Sequence, residues 1–255
     1  MTPIQLPPDV VEGPAYGTEE WKNARRGLVT ASRFGDVMTD PRSKAAKEAG
    51  ELSDTAKSYL MELVASTITG IDRVGGKSAA MERGVDMEAD AIDAYAAMKF
   101  CTVETGRLLI WPKFGIAATP DGFVEDDEEG PGIIEVKCPE SKRHLETWFT
   151  REVPEDYIEQ VQGQLWVSDR QWCDFISYDD RFPLAMRLVV IRVYRDEDAE
   201  QVLEAKVQDF AQRVRDKVAQ VQAFLASCAP SEARTVTDAL QDSLEDVVSH
   251  PEATE

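Results

Sequence analysis

Apolar and polar positions alternate with two different periods along the chain, and the period changes mark the elements. Residues 77–99 carry Val85, Ala89, Ile92, Tyr95 and Ala96 at intervals of three or four, the spacing of one helical face. From about 196 to 227 the stripe Leu203, Val207, Phe210, Val214, Val218, Val221, Leu225 predicts a second long helix with its apolar side toward a core. Thr18-Glu19-Glu20-Trp21 reads as a capped helix start running to about Gly27. Thr30 opens a short helix, and Ser53-Asp54 opens a longer one reaching about Thr69. Residues 141–151 and 154–167 are also predicted helical. Strand-like runs fall at 102–111, 115–119, 122–125, 132–137, 172–177 and 187–194. Residues 1–17 are rich in Pro and Gly and read as an extended arm, and 40–50 as a basic loop. The expected architecture is a mixed α+β fold of the α/β class, with a central mixed β-sheet flanked by helices. It forms one domain over residues 1–228, followed by an acidic tail over 229–255.

Charge complicates any link to nucleic acid. The 255 residues carry 28 Lys and Arg against 48 Asp and Glu, a formal net charge of −20, whereas phosphate binding recruits cations. Part of the excess is peripheral: residues 231–255 hold seven acids against Arg234 alone. A DNA-acting protein of this composition must gather its cations on one surface. Cys101, Cys138, Cys173 and Cys228 form no CxxC pair, and with only His144 and His250 present no zinc site is expected. Residues 1–8 have neither a basic nor an apolar leader region, and no apolar run approaches the roughly 20 residues that span a bilayer. A soluble cytoplasmic protein with reduced thiols is the expectation.

The candidate chemistry lies in Thr119-Pro120-Asp121-Gly122, followed fourteen residues after Asp121 by Glu135-Val136-Lys137. Side chains i and i+2 of a strand share a face, so Glu135 and Lys137 would project together, with Asp121 on the neighbouring strand. Two carboxylates suit Mg²⁺, a hard cation that keeps waters for substrate phosphates. A lysine beside them could stabilise a hydroxide or a developing phosphate charge. On their own the three residues fit a site and a solvated hairpin equally well. Three further features favour a site. Glu88 is placed on the sheet-facing side of its helix, Gln160 and Gln164 stand i, i+4 on another, and Arg25-Arg26 precede the Thr30-Ala31-Ser32 turn as an anion pocket.

Trp21, Arg25-Arg26-Gly27-Leu28-Val29-Thr30-Ala31-Ser32, Gly84 with Glu88, Thr119-Pro120-Asp121-Gly122, Glu135-Val136-Lys137-Cys138-Pro139 and Tyr157 with Gln160-Val161-Gln162 occur in one order. In that order and spacing the sequence resembles the bacteriophage lambda exonuclease family, the YqaJ-type viral recombinases of the PD-(D/E)xK nuclease superfamily. The resemblance covers residues 21 to about 195 and implies a restriction-endonuclease-like core. It implies a Mg²⁺-dependent exonuclease that degrades one strand of linear double-stranded DNA from its 5′ end and leaves a 3′ overhang. Two metal ions per site, replaceable by Mn²⁺, would serve the in-line hydrolysis. By position, Asp121, Glu135, the Val136 carbonyl and Glu88 would bind metal, Lys137 would orient or activate water, and Gln160 would support them. Arg25, Ser32 and Thr119 would hold the 5′-phosphate, and Met81 would wedge the duplex. Apart from the resemblance, Arg143 reads either as a contact to phosphate near the incoming duplex or as a plain solvated charge. The family further implies a ring-shaped homotrimer and a single-strand annealing protein as partner. The alternatives are a site- or structure-specific endonuclease of the same superfamily, which would cut closed circles, and a non-catalytic DNA clamp.

Overall fold

The computed structural model describes residues 6–71, 79–126 and 128–228, without the side chains of 79–82 and 85. The chain divides into two units, Met1–Arg215 and Asp216–Glu255. Among the described residues, helices α1 (Glu19–Arg25), α2 (Phe34–Met38), α3 (Lys44–Glu48), α4 (Asp54–Thr69), α5 (Ala79–Lys99), α6 (Ser141–Thr150), α7 (Ile158–Ser168) and α8 (Glu197–Cys228) accompany nine strands. These are β1 (Val11–Ala15), β2 (Val29–Thr30), β3 (Val103–Thr105), β4 (Arg107–Trp111), β5 (Ile116–Ala118), β6 (Gly122–Asp126), β7 (Gly130–Lys137), β8 (Trp172–Tyr178) and β9 (Leu188–Tyr194).

The expected single sheet is in fact two. One has the order β1-β4-β5-β2, the other β3-β6-β7-β8-β9. Each is mixed: β2 runs parallel to β5, and β7 parallel to β8, while the remaining pairs are antiparallel. The run expected as one strand over 102–111 breaks at Gly106, so β3 joins one sheet and β4 the other. A glycine inside a strand pattern marks such a corner, and its effect is invisible in the hydrophobic count. The N-terminal arm is not free, because β1 pairs with β4. The basic segment expected as a loop contains α3, capped by Ser43 Oγ accepting from the Ala46 N–H at 3.1 Å.

The start signals at Thr18 and Ser53 act as read, whereas Thr30 ends β2 and makes no side-chain cap bond to the turn that follows. Thr18 Oγ1 accepts from the Trp21 N–H at 3.1 Å, and Ser53 Oγ from the Ala56 N–H at 3.0 Å. Helix α5 lies on β7, β8 and β9. Its Tyr95 hydroxyl donates to Asp174 of β8 at 2.7 Å, and Arg192 of β9 grips the same carboxylate with two bonds of 2.7 and 2.8 Å. Helix α7 touches β4 and β5 of one sheet and β8 of the other, and so bridges them. The α8 stripe is buried at Leu203, Val207, Phe210 and Val214, with Phe210 stacked on Tyr59 of α4 at 5.5 Å. Burial does not continue along the whole stripe: Leu225 is exposed, in the unit that begins at Asp216. The expected tail over 229–255 lies outside the described residues.

Candidate active site

The chain passes from one sheet to the other at residues 119–121, between β5 and β6. Asp121 therefore stands at the seam. Its N–H donates to the Ile134 carbonyl at 3.1 Å, and its Oδ2 accepts the Val136 N–H at 2.7 Å. Those bonds hold it against the end of β7, where Glu135 and Lys137 share a face as the strand period requires. Glu135 is 1% exposed. One of its oxygens accepts from Lys137 Nζ and from Gln160 Nε2, the latter at 2.5 Å. The other accepts from Gln164 Nε2 at 2.7 Å.

A cleft of about 230 Å³ brings most of the expected residues together. Arg25, Ser32, Glu88, Thr119, Asp121, Glu135, Val136, Lys137 and Gln160 all line it. Two of the expected residues are not seen there. Arg143 is ion-paired with Asp156, and its guanidinium lies 5.5 Å from the centre of the Tyr157 ring, whose same ring Lys137 Nζ approaches at 5.0 Å. Met81 belongs to α5, but its side chain is outside the described residues.

The electrostatics follow from packing acids in a partly closed space. Burial, then the charges of Glu135 and Glu88, push the Asp121 carboxyl well above the ordinary carboxylate range. Burial and Glu135 likewise raise Glu88. Burial opposes the charge on Lys137, but Glu135 and Asp121 outweigh it and raise the ammonium's pKa. Lys137 is thus held as a cation in the free protein.

In kind, the donors fit Mg²⁺: two carboxylates on adjoining segments, a third on α5, and a strand carbonyl, with no thiolate or imidazole among them. The mutual repulsion that raises Asp121 and Glu88 is what a bound cation relieves. Among the described residues no three acidic, thiol or imidazole groups converge on one point, and Glu135 is hydrogen-bonded by Lys137, Gln160 and Gln164.

Cations gather beside the cleft. A second cavity of about 420 Å³ shares Arg25, Thr30 and Ser32 with it and adds Lys22, Arg26 and Arg33. Two of these cations are ion-paired, Lys22 with Glu19 and Arg33 with Asp36 and Glu62. Arg25 is set by α1, its guanidinium 4.1 Å above the Trp21 ring. Ser32 is set by the 3₁₀ turn that follows β2.

Tyr16 is a wall residue that the sequence does not mark, whereas Thr30 belongs to the expected anion turn and Gln164 to the expected amide face of α7. Tyr16 packs edge-on against Trp21 at 4.9 Å, and burial followed by Glu88 and Asp121 raises its hydroxyl's pKa. It sits in a Pro- and Gly-rich stretch with no local pattern, next to β1, which pairs with β4. Gln164 had a signal, its i, i+4 relation to Gln160.

This fold is that of the PD-(D/E)xK nucleases, and residues 20–171 match the model of the YqaJ-like viral recombinase domain. The chain belongs to that family. An alkaline exonuclease from Laribacter hongkongensis superimposes with a TM-score of 0.73 at 35% identity, covering 83% of this chain and 100% of its own. The same exonuclease in complex with dAMP gives a TM-score of 0.72 with the same identity and coverage. A phage-related exonuclease from Haemophilus somnus 129PT shares the fold, with a TM-score of 0.60 at 22% identity over 78% of this chain and 96% of its own. No curated protein matches the chain. No described helix is long and apolar enough to cross a membrane.

Proposed function

We propose that this chain is a Mg²⁺-dependent 5′-to-3′ exonuclease that degrades one strand of linear double-stranded DNA and leaves a 3′ overhang for recombination. The coarser class, a nuclease of recombination, accords with its family and with an exonuclease relative at 35% identity. The finer reading is carried by one observation: Arg25, Ser32 and Thr119 line the same cleft as Asp121, Glu135 and Lys137. An anion pocket beside the hydrolytic groups suits a terminal phosphate, which carries more charge than an internal diester. An endonuclease has no use for such a pocket, and a clamp has no use for the acids.

In this reading Asp121, Glu135 and the Val136 carbonyl hold one cation, and Glu88 completes a site for a second. Cations held there would lower the pKa of water toward neutrality and offset charge on the scissile phosphate. The protein's own groups do the rest. Lys137 is the proton-bearing cation next to the attacking water, Gln160 keeps Glu135 turned into the cleft, and Arg25 with the Ser32 and Thr119 hydroxyls fixes the 5′-phosphate. Met81 at the start of α5 would part the duplex, and Arg143 would meet phosphate outside the cleft after leaving Asp156. The nuclease domain spans 1–228 and the acidic tail 229–255. A ring-shaped homotrimer would keep the enzyme on DNA by topology rather than by charge, and a single-strand annealing protein would receive the overhang in the cytoplasm of the host cell.

The test is digestion of linear duplex DNA in Mg²⁺ with each strand labelled and with 5′-phosphate or 5′-hydroxyl ends. Asp121→Ala, Lys137→Ala and a closed circle run alongside. Mononucleotides released from the 5′-phosphorylated strand, and lost in both variants, support the reading. Cleavage of the circle replaces it with the endonuclease, and no metal-dependent cleavage of any DNA leaves the clamp.

A further inference from the structure

Helix α7 carries three glutamines at alternate positions, and they face different neighbours. Gln162 turns away from the cleft: its Nε2 donates to the Tyr194 carbonyl at 3.0 Å, and its Oε1 accepts the Asp196 N–H at 3.0 Å. Gln160 reaches one oxygen of Glu135. Gln164, one turn further on and 1% exposed, reaches the other. The same nitrogen also donates to the Thr119 carbonyl at 3.2 Å.

One amide thus joins both segments that carry the candidate ligands. Glu135 is on β7, and Thr119 opens the link that ends in Asp121. The amide cannot be turned over, because that would set Oε1 against a carboxylate and a carbonyl oxygen. The orientation has a cost: Oε1 is buried with no hydrogen-bond partner. A Leu or Met at 164 would carry no such orphan acceptor. What an apolar residue could not supply is the N–H that spans Glu135 and Thr119.

We infer that Gln164 is a positioning residue, a strut that fixes the Glu135 carboxylate relative to the link carrying Asp121. The inference rests on the reading of these acids as metal ligands. Partners that orient ligands are worth about 10–100-fold in metal affinity. Gln164→Met in the full chain, titrated calorimetrically with Mg²⁺ or Mn²⁺ without DNA and well below its unfolding temperature, is expected to bind 10–100-fold more weakly. Gln164→Asn, whose amide stops one methylene short, should show the same loss and decides the matter if the Met variant does not fold. Gln162→Met is the structural control, with a lower Tm and unchanged metal affinity. In digestion, kcat of the Gln164 variants should fall at low Mg²⁺ and recover as Mg²⁺ is raised, with KM for DNA unchanged. A folded Gln164 variant that binds metal as the wild type does overturns the inference and leaves the proposed function standing. A wild-type chain that takes up no divalent cation overturns both.

Discussion

Gly106 and Asp121 are bonded backbone to backbone, the Gly106 N–H donating to the Asp121 carbonyl at 3.1 Å. Gly106 is the corner between β3 and β4, and Asp121 the end of the link between β5 and β6. The chain therefore crosses between the two sheets twice at one place, and the candidate aspartate is set by the second crossing lying on the first. The approach is too close for any side chain: a Cβ on Gly106 would stand 2.0 Å from the Pro120 carbonyl oxygen. Neither backbone can yield as a flexible side chain would.

Gly106→Ala should consequently harm the site as well as the fold. Overpacking of this kind costs about 1–3 kcal/mol, and a shift of roughly 1 Å at the reacting groups costs about 100-fold in rate. The expected outcome is a lower Tm together with a digestion rate down by about two orders of magnitude in the folded fraction. A variant with wild-type rate and stability would show that the crossing does not set Asp121.

How much of this was legible in the sequence depends on the range of the interaction concerned. Glu135 and Lys137 were legible because the strand period alone puts them side by side. The helix starts at Thr18 and Ser53 were legible because caps are local chemistry. The two-sheet arrangement was not. It depends on Gly106 splitting one apolar run, and on pairings between residues as distant as Val11 and Ile110. Tyr16 escaped for the same reason. Arg143 was assigned to phosphate by its position alone, and an ion pair with Asp156, thirteen residues away, has no signature in a single chain.

Lys137 and Glu135 give a prediction with opposite signs in two assays. The ammonium occupies a carboxylate oxygen that a metal would need. Lys137→Met keeps the volume and removes the charge. Digestion should fall by about 100- to 1000-fold, the scale of losing one group that stabilises developing charge. Affinity for Mg²⁺ measured calorimetrically should hold or rise, because a competitor for Glu135 is gone. Loss of metal binding along with activity would mean that Lys137 only maintains the site's shape.

Arg25 should govern the choice of DNA end. A charge-assisted hydrogen bond contributes about 1.5–3 kcal/mol, which is roughly 10- to 150-fold in relative rate. Arg25→Ala is expected to reduce the preference for 5′-phosphorylated over 5′-hydroxyl ends by that factor. Cleavage of the hydroxyl end should change much less. If both ends slow equally, the pocket is not reading the terminal phosphate.

Asp179 offers a pH test outside the lining of the cleft. Its side chain is fully buried, and it accepts from Arg181 Nε and Nη2 at 2.8 Å each, from Ser141 Oγ at 2.7 Å and from Arg83 Nη2 at 3.2 Å. Burial alone would raise its pKa. The bonds from Arg181 and Ser141 outweigh burial and hold the carboxyl well below the usual range. Ser141 begins α6, so this carboxylate fastens the start of the helix that follows the site strand. Because the folded pKa is depressed, the native state binds fewer protons than the unfolded chain. The stabilisation is therefore complete above the ordinary carboxylate pKa near 4 and is lost as pH falls below it. Asp179→Asn should cost about 3 kcal/mol at pH 7, the low end for breaking a buried ion pair, because Arg181 is half exposed and water takes over part of its interaction. The gap between wild type and variant, read as denaturation midpoints across pH 7 to 3, should narrow steadily below pH 4. A gap that stays constant with pH would show that Asp179 acts through shape and not through its charge.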